Sequence, residues 1–177
     1  MTPPELLVQS EVLPSGTYGV AVAVGEDEAW TMAPDRAVSY AAGCVAAATE
    51  ARHDAAVIAA FVSRDMLSSA EAAKFVVFEL RPDRVRDDRT APLRFVPGVS
   101  AFTGRPFVHV HLHDKSIGQL DPSALREHAL GVLDVVAAAD LDAALVRTLR
   151  GTVGVEEHQA RAFVEDLSRH WPKDDTA

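Results

Sequence analysis

The sequence predicts an α+β fold made of one internally duplicated domain. Two units, each a β-hairpin followed by an αα-hairpin, are expected to be related by a pseudo-twofold axis and to share one antiparallel sheet with helices on one face. Three observations predict this: an ungapped self-match, strand-period alternation that opens each matching stretch, and a proline-started helical pattern that follows it.

The self-match appears when the 177-residue chain is slid by 88 positions, which lays Gly16–Arg81 on Gly104–Arg169 over 66 residues with 14 identities. Alanine-rich stretches match by chance, but the identities also pair Gly16 with Gly104, Pro34 with Pro122, Gly43 with Gly131, Asp54 with Asp142 and Phe75 with Phe163. Several further pairs keep apolar character, among them Val24/Leu112, Val45/Leu133 and Ile58/Val146. Self-similarity at a fixed offset is the signature of a repeated structural unit.

Each unit then reads in the same order. Thr17–Val24 alternates around Val20, Val22 and Val24, a half-buried strand, and Ala29–Met32 returns after a polar turn. Phe107–Leu112 and Ile117–Leu120 are the matching pair. Pro34 and Pro122 stand where the first turn of a helix tolerates a missing N–H. Asp121 is a good N-cap, whereas Ala33 offers no side-chain acceptor. Long helices are expected from about Asp35 to Val62 and from about Ser123 to Arg150, with apolar residues at helical spacing. Shorter helices should begin near Ser68-Ser69 and Glu156-Glu157. The stretch 82–103 reads as a linker rich in Asp and Arg, with one extra strand at Leu93–Val96, and 170–177 reads as a disordered tail. A unit of this size buries little apolar area alone, so the two should share a core within one domain spanning 1–177.

Composition narrows the partners. Lys+Arg 17 against Asp+Glu 26 gives −9, and nothing supplies a broad basic patch, which argues against nucleic acid or an anionic membrane as the main partner. Val153-Gly154-Val155 between two helices invites a helix-turn-helix reading, but the second helix carries Glu156, Glu157, Glu165 and Asp166, the wrong sign for DNA. No run of about 18 apolar residues occurs, and the first twenty residues lack the basic start and apolar run of a secretory signal, so the expected compartment is the cytoplasm. The single cysteine, Cys44, matches Val132 on the inward helix face and reads as a small buried hydrophobe. It excludes an intramolecular disulfide and a cysteine-only zinc site. Neither GxxxxGK[ST] nor GxGxxG occurs.

Four sets of residues could carry function. His109, His111 and His113 alternate along the second unit's first strand and so share one face. Their counterparts Ala21, Ala23 and Gly25 place that face opposite the valines both units bury. Imidazoles at this spacing suit a transition metal such as zinc, or an interface sensitive to pH near neutrality. Asp54 and Asp142 are the acidic position common to both units. Across a pseudo-twofold they could form paired carboxylates, although pairing with the common arginines, Arg81 and Arg169, is the simpler structural use. Trp30, matched by Gly118, stands outside the shared pattern and is expected to anchor a contact at the sheet edge. Ser39 and Tyr40 flank Cys44 without a catalytic spacing of His and Asp.

No cofactor is called for by these patterns. The expected function is a non-catalytic protein-binding or scaffold domain that meets a protein partner or a second copy of itself. The alternative is a metal-binding protein or metal-dependent enzyme using the His-x-His-x-His strand. A small-molecule cleft at the pseudo-twofold axis is a third, weaker option.

Overall fold

A computed structural model describes residues 3–25, 28–81, 92–113 and 115–170, without the side chains of 168–170. Of the expected disordered tail, residues 171–177 lie outside the described residues while His170 ends the last helix; of the expected linker, residues 82–91 lie outside them. The fold is α+β, and the described residues form two antiparallel three-stranded sheets and four helices. The first sheet holds β1 (Leu6–Val12), β2 (Tyr18–Val24) and β3 (Glu28–Met32), in that spatial order. Helix α1 (Pro34–Ser63) follows, then α2 (Ser69–Phe75), which runs into a π-helical turn at Val76–Leu80. The second sheet holds β4 (Leu93–Val99), β5 (Pro106–Leu112) and β6 (Lys115–Leu120). Helix α3 (Pro122–Thr148) passes through a π-helical turn at Leu149–Val153 and leads to α4 (Glu157–His170).

The expected single sheet is therefore corrected to two. The physical reason lies in β1, which the sequence reading left unassigned. β1 pairs along the whole length of β2, from Leu6↔Val24 to Val12↔Tyr18, and so satisfies the edge that would otherwise seek a strand from the other half. β4 does the same for β5, from Leu93↔Leu112 to Val99↔Pro106. Pro97 is tolerated there because β4 pairs with β5 alone, so its other edge needs no N–H.

Val20, Val22, Val108 and Val110 are fully buried on the inward faces of the sheets. Above them lie Ala37, Ala41, Cys44, Ala48 and Ala51 of α1 and Leu125, Ala129 and Val132 of α3, in one continuous core. The helices are exchanged: α1 packs chiefly on β4 and β5, and α3 on β1 and β2. Each long helix thus covers the sheet of the other half, and the two helices pack on each other along their lengths. The exchange continues in two satellite clusters. Tyr18 and Val12 of the first sheet pack with Ala139, Val146, Ala160 and Val164 of α3 and α4. Val99 of the second sheet packs with Ile58, Ala72 and Val76 of the first half's helices. No helix among the described residues is long and apolar enough to cross a membrane.

Helix starts follow local chemistry. Asp121 Oδ1 accepts from the Ser123 N–H at 2.7 Å, while Ala33 caps α1 with no side-chain bond. Ser68 and Glu71 form a reciprocal capping box at α2.

Candidate functional site

The outward face of the second sheet is the surface that sequence and structure jointly single out. On β5, side chains alternate, so the buried Val108 and Val110 leave Phe107, His109 and His111 facing away from the helices. His109 stands between Val96 of β4 and Gln119 of β6, and His111 between Arg94 and Ser116. A register shift between Val110 and His111 leaves Ile117 as the extra residue of β6, and its side chain packs against the core.

Phe107 lies over Gly98, where an added Cβ would come within 2.5 Å of its ring, so only glycine admits this packing. The Phe107 and His109 rings meet edge-on with centroids 4.8 Å apart, and His109 and His111 follow at 6.0 Å and 60°. The three rings form a half-buried ladder. The Nδ1 atom of His109 is buried and has no hydrogen-bond partner among the described residues. Burial, and then the neighbouring His111, hold the His109 imidazole below the usual histidine range, so it is neutral at pH 7.

His113 does not belong to the ladder. It occupies a left-handed turn with φ of +52°, its N–H donates to the Pro92 carbonyl at 2.6 Å, and its Nε2 lies 2.8 Å from Glu28 Oε1 of β3. The structure therefore brings two of the three histidines together and sends the third to the other sheet. Among the described residues, no group of three or more His, Cys, Asp or Glu side chains is placed to hold a metal ion.

Asp54 and Asp142 occupy different surroundings. Asp54 is 2% exposed, with Arg81 Nε 3.6 Å from its Oδ1; the same guanidinium reaches Glu50 at 3.6 Å and His53 Nδ1 at 3.3 Å. Asp142 is half-buried on α3, where burial pushes its carboxyl up. It stands near Tyr18, whose hydroxyl is buried without a partner. Burial raises the Tyr18 phenol most, then Asp142 and Glu165, with Arg161 opposing them. The two aspartates thus sit against separate packing clusters and do not form a carboxylate pair. The Arg169 side chain lies outside the described residues. Trp30 stands opposite Val22 on the inward face, half-buried against the core, so it is turned toward the helices and away from the open face.

Sequence reasoning missed one polar cluster. Tyr40 on α1 and His128 on α3 are separated by the repeat offset of 88, and their side chains meet at 2.9 Å between the phenol oxygen and Nε2. Tyr40 also makes edge contacts with Phe95 and His128, and Cys44 stands one helical turn further along α1. The signal was available: two polar residues 88 positions apart in the self-match, both on the inward helical face. Burial pushes the Cys44 thiol up to about 12, raises the Tyr40 phenol, and lowers His128 to about 4. All three groups are therefore held neutral, and a thiol in that state is not a nucleophile at pH 7. A shallow groove lined by Arg147, Arg150, Val155 and Glu157 lies at the far end of α3. Glu157 there pairs with Arg150 at 2.9 Å and with Arg161 at 2.5 Å.

Searches for similar proteins found no matching family model, no curated protein and no solved structure with significant similarity to this chain.

Proposed function

We propose that this chain is a non-catalytic protein-binding domain, built from two duplicated halves about a pseudo-twofold axis, which self-associates through the outward face of its second sheet. The observation that carries this reading is the Phe107–His109–His111 ladder with the orphaned Nδ1 of His109. A buried polar atom without a partner costs roughly 1–3 kcal/mol, and a surface seated on the ladder that presents a donor or acceptor removes that cost. The helices lie on the opposite face, so the ladder is open to such a surface. An isologous contact asks for only one face of this kind per chain, which favours a second copy as occupant.

The duplicated origin is supported by the 14 identities, by the same order of strands and helices in each half, and by the contact between the equivalent residues Tyr40 and His128. It also agrees with the matched left-handed turns at Gly25 and His113, with φ of +57° and +52°. A protein with a net charge of −9 fits a protein partner better than a nucleic acid or an anionic membrane.

Light scattering or sedimentation of tag-free protein tests the reading. The expected result is a discrete dimer that dissociates on Val96→Glu, a change at the centre of the face. A monomer at the highest attainable concentration, or a dimer unaffected by Val96→Glu, overturns it.

A further inference from the structure

We infer that His109 and His111 form a two-imidazole chelate for a divalent transition metal, with water completing its coordination. The inference goes beyond the docking role of the face and needs no second copy. The two residues stand at i and i+2 on β5 and therefore project on one side of the strand, with ring centroids 6.0 Å apart. Metal–imidazole bonds are about 2.0–2.1 Å, so two rings gripping one ion at a tetrahedral angle have centroids about 5 Å apart, and a relative shift of about 1 Å closes the site.

Three other histidines are already engaged. His53 meets Arg81, His113 meets Glu28, and His128 meets Tyr40. The Nδ1 of His109 has no hydrogen-bond partner among the described residues, so no hydrogen bond commits that atom elsewhere. Arg94, across the strand from His111, has an interaction of its own and is not a loose cation over the site. Its fixed positive charge and the presence of only two protein ligands set the expected strength as moderate. Imidazole donors choose copper(II) first, then nickel and zinc, and leave magnesium unbound.

The test is titration of tag-free protein, diluted to its monomer, with copper(II), zinc and magnesium chlorides, followed by calorimetry and by the visible absorption of copper. One copper per chain is expected, with weaker zinc binding and none for magnesium. His109→Gln and His111→Gln should each weaken copper at least tenfold, while His113→Gln leaves it within twofold. Substoichiometric copper should broaden the His109 and His111 imidazole resonances of the unaltered chain first, a readout that needs no variant to fold. Absence of saturable copper binding, equal losses in His113→Gln, or first broadening at other histidines overturns the assignment. Because the titration is made on the monomer, its failure leaves the self-association reading standing, and the reverse holds as well.

Discussion

The two halves carry strands and helices in the same order, and their outward faces and helix starts carry different side chains. Inward, Val20 and Val22 correspond to Val108 and Val110, and all four are fully buried. Outward, Ala21 and Ala23 correspond to His109 and His111. At the hairpin turn, Gly25 corresponds to His113 in nearly the same left-handed conformation. At the helix start, the uncapped Ala33 corresponds to the capping Asp121. The four valines are thus buried alike in both halves, while the second half carries imidazoles where the first has alanines and a glycine. A side chain that is dispensable for packing and absent from the equivalent position is where function is best sought.

The largest expected effect tests the buried charges. Asp54→Ala removes a fully buried carboxylate from beside Arg81 and should destabilise the protein by about 3 kcal/mol in urea unfolding, since it breaks a buried pair and leaves a cavity. Asp142→Ala, at a half-buried position where burial already disfavours the charged form, should cost less than about 1 kcal/mol. Equal losses would mean that the two positions are energetically alike despite their different surroundings.

The second effect contrasts Tyr40 with His128. Burial lowers His128 to about 4, against an ordinary value of 6.5. A depressed folded-state pKa gives stability that is fully present above pH 6.5 and lost as pH falls through about 4, because the unfolded chain takes up the proton first. With partial solvent screening allowed for, that loss should be about 2 kcal/mol. His128→Gln should remove this component, so the stability difference between the parent and the variant should shrink from pH 7 to pH 4. A difference independent of pH would show that His128 titrates normally in the folded chain.

How much of this was legible beforehand follows the range of the interactions. Alternation at Val20–Val24 and Val108–Leu112, the prolines opening α1 and α3, and the cap at Asp121 are local effects, and local pattern shows them. β1 was missed although Leu6, Val8 and Val12 carry a strand alternation, because Leu7 interrupts the apolar/polar pattern and the ungapped self-match begins only at Gly16. The pairing explains that start. Leu6 faces Val24 and Leu93 faces Leu112, so the offset between halves is 87 in the outer strands and 88 beyond the first hairpin loop. The exchange of helices between sheets was not legible at all, since either sheet offers α1 the same valine face. The candidate site was half legible. Strand period put three histidines on one face, but the left-handed turn that diverts His113 toward Glu28 depends on a contact 85 residues away.

The turn itself supplies the third prediction. Gly25→Ala places a side chain at φ +57° and should cost about 1 kcal/mol, with open space around it ruling out a steric alternative. His113→Gly relieves a similar strain but loses the contact with Glu28, so the two terms should leave stability within about 0.5 kcal/mol of the parent. Thermal unfolding of both variants separates the backbone term from the inter-sheet contact. A large loss in His113→Gly would make that contact a principal tie between the sheets.

The smallest effect asks whether the first half can accept what the second already has. Ala33 sits at φ −66° and ψ 155°, and Asp121 at −65° and 140°, so the two caps share one backbone conformation and differ only in the side chain. Ala33→Ser should therefore gain about 0.5–1 kcal/mol by accepting a first-turn N–H of α1. Serine is the better choice than aspartate here. Asp35 occupies the position of Ser123 in the first turn, and a second carboxylate beside it would oppose the gain that the helix dipole offers. The reciprocal Asp121→Ala should lose about 1 kcal/mol. If Ala33→Ser gains nothing while Asp121→Ala loses its expected share, the start of α1 does not limit the first half's stability, and the asymmetry between the halves lies in how each long helix seats on the other's sheet.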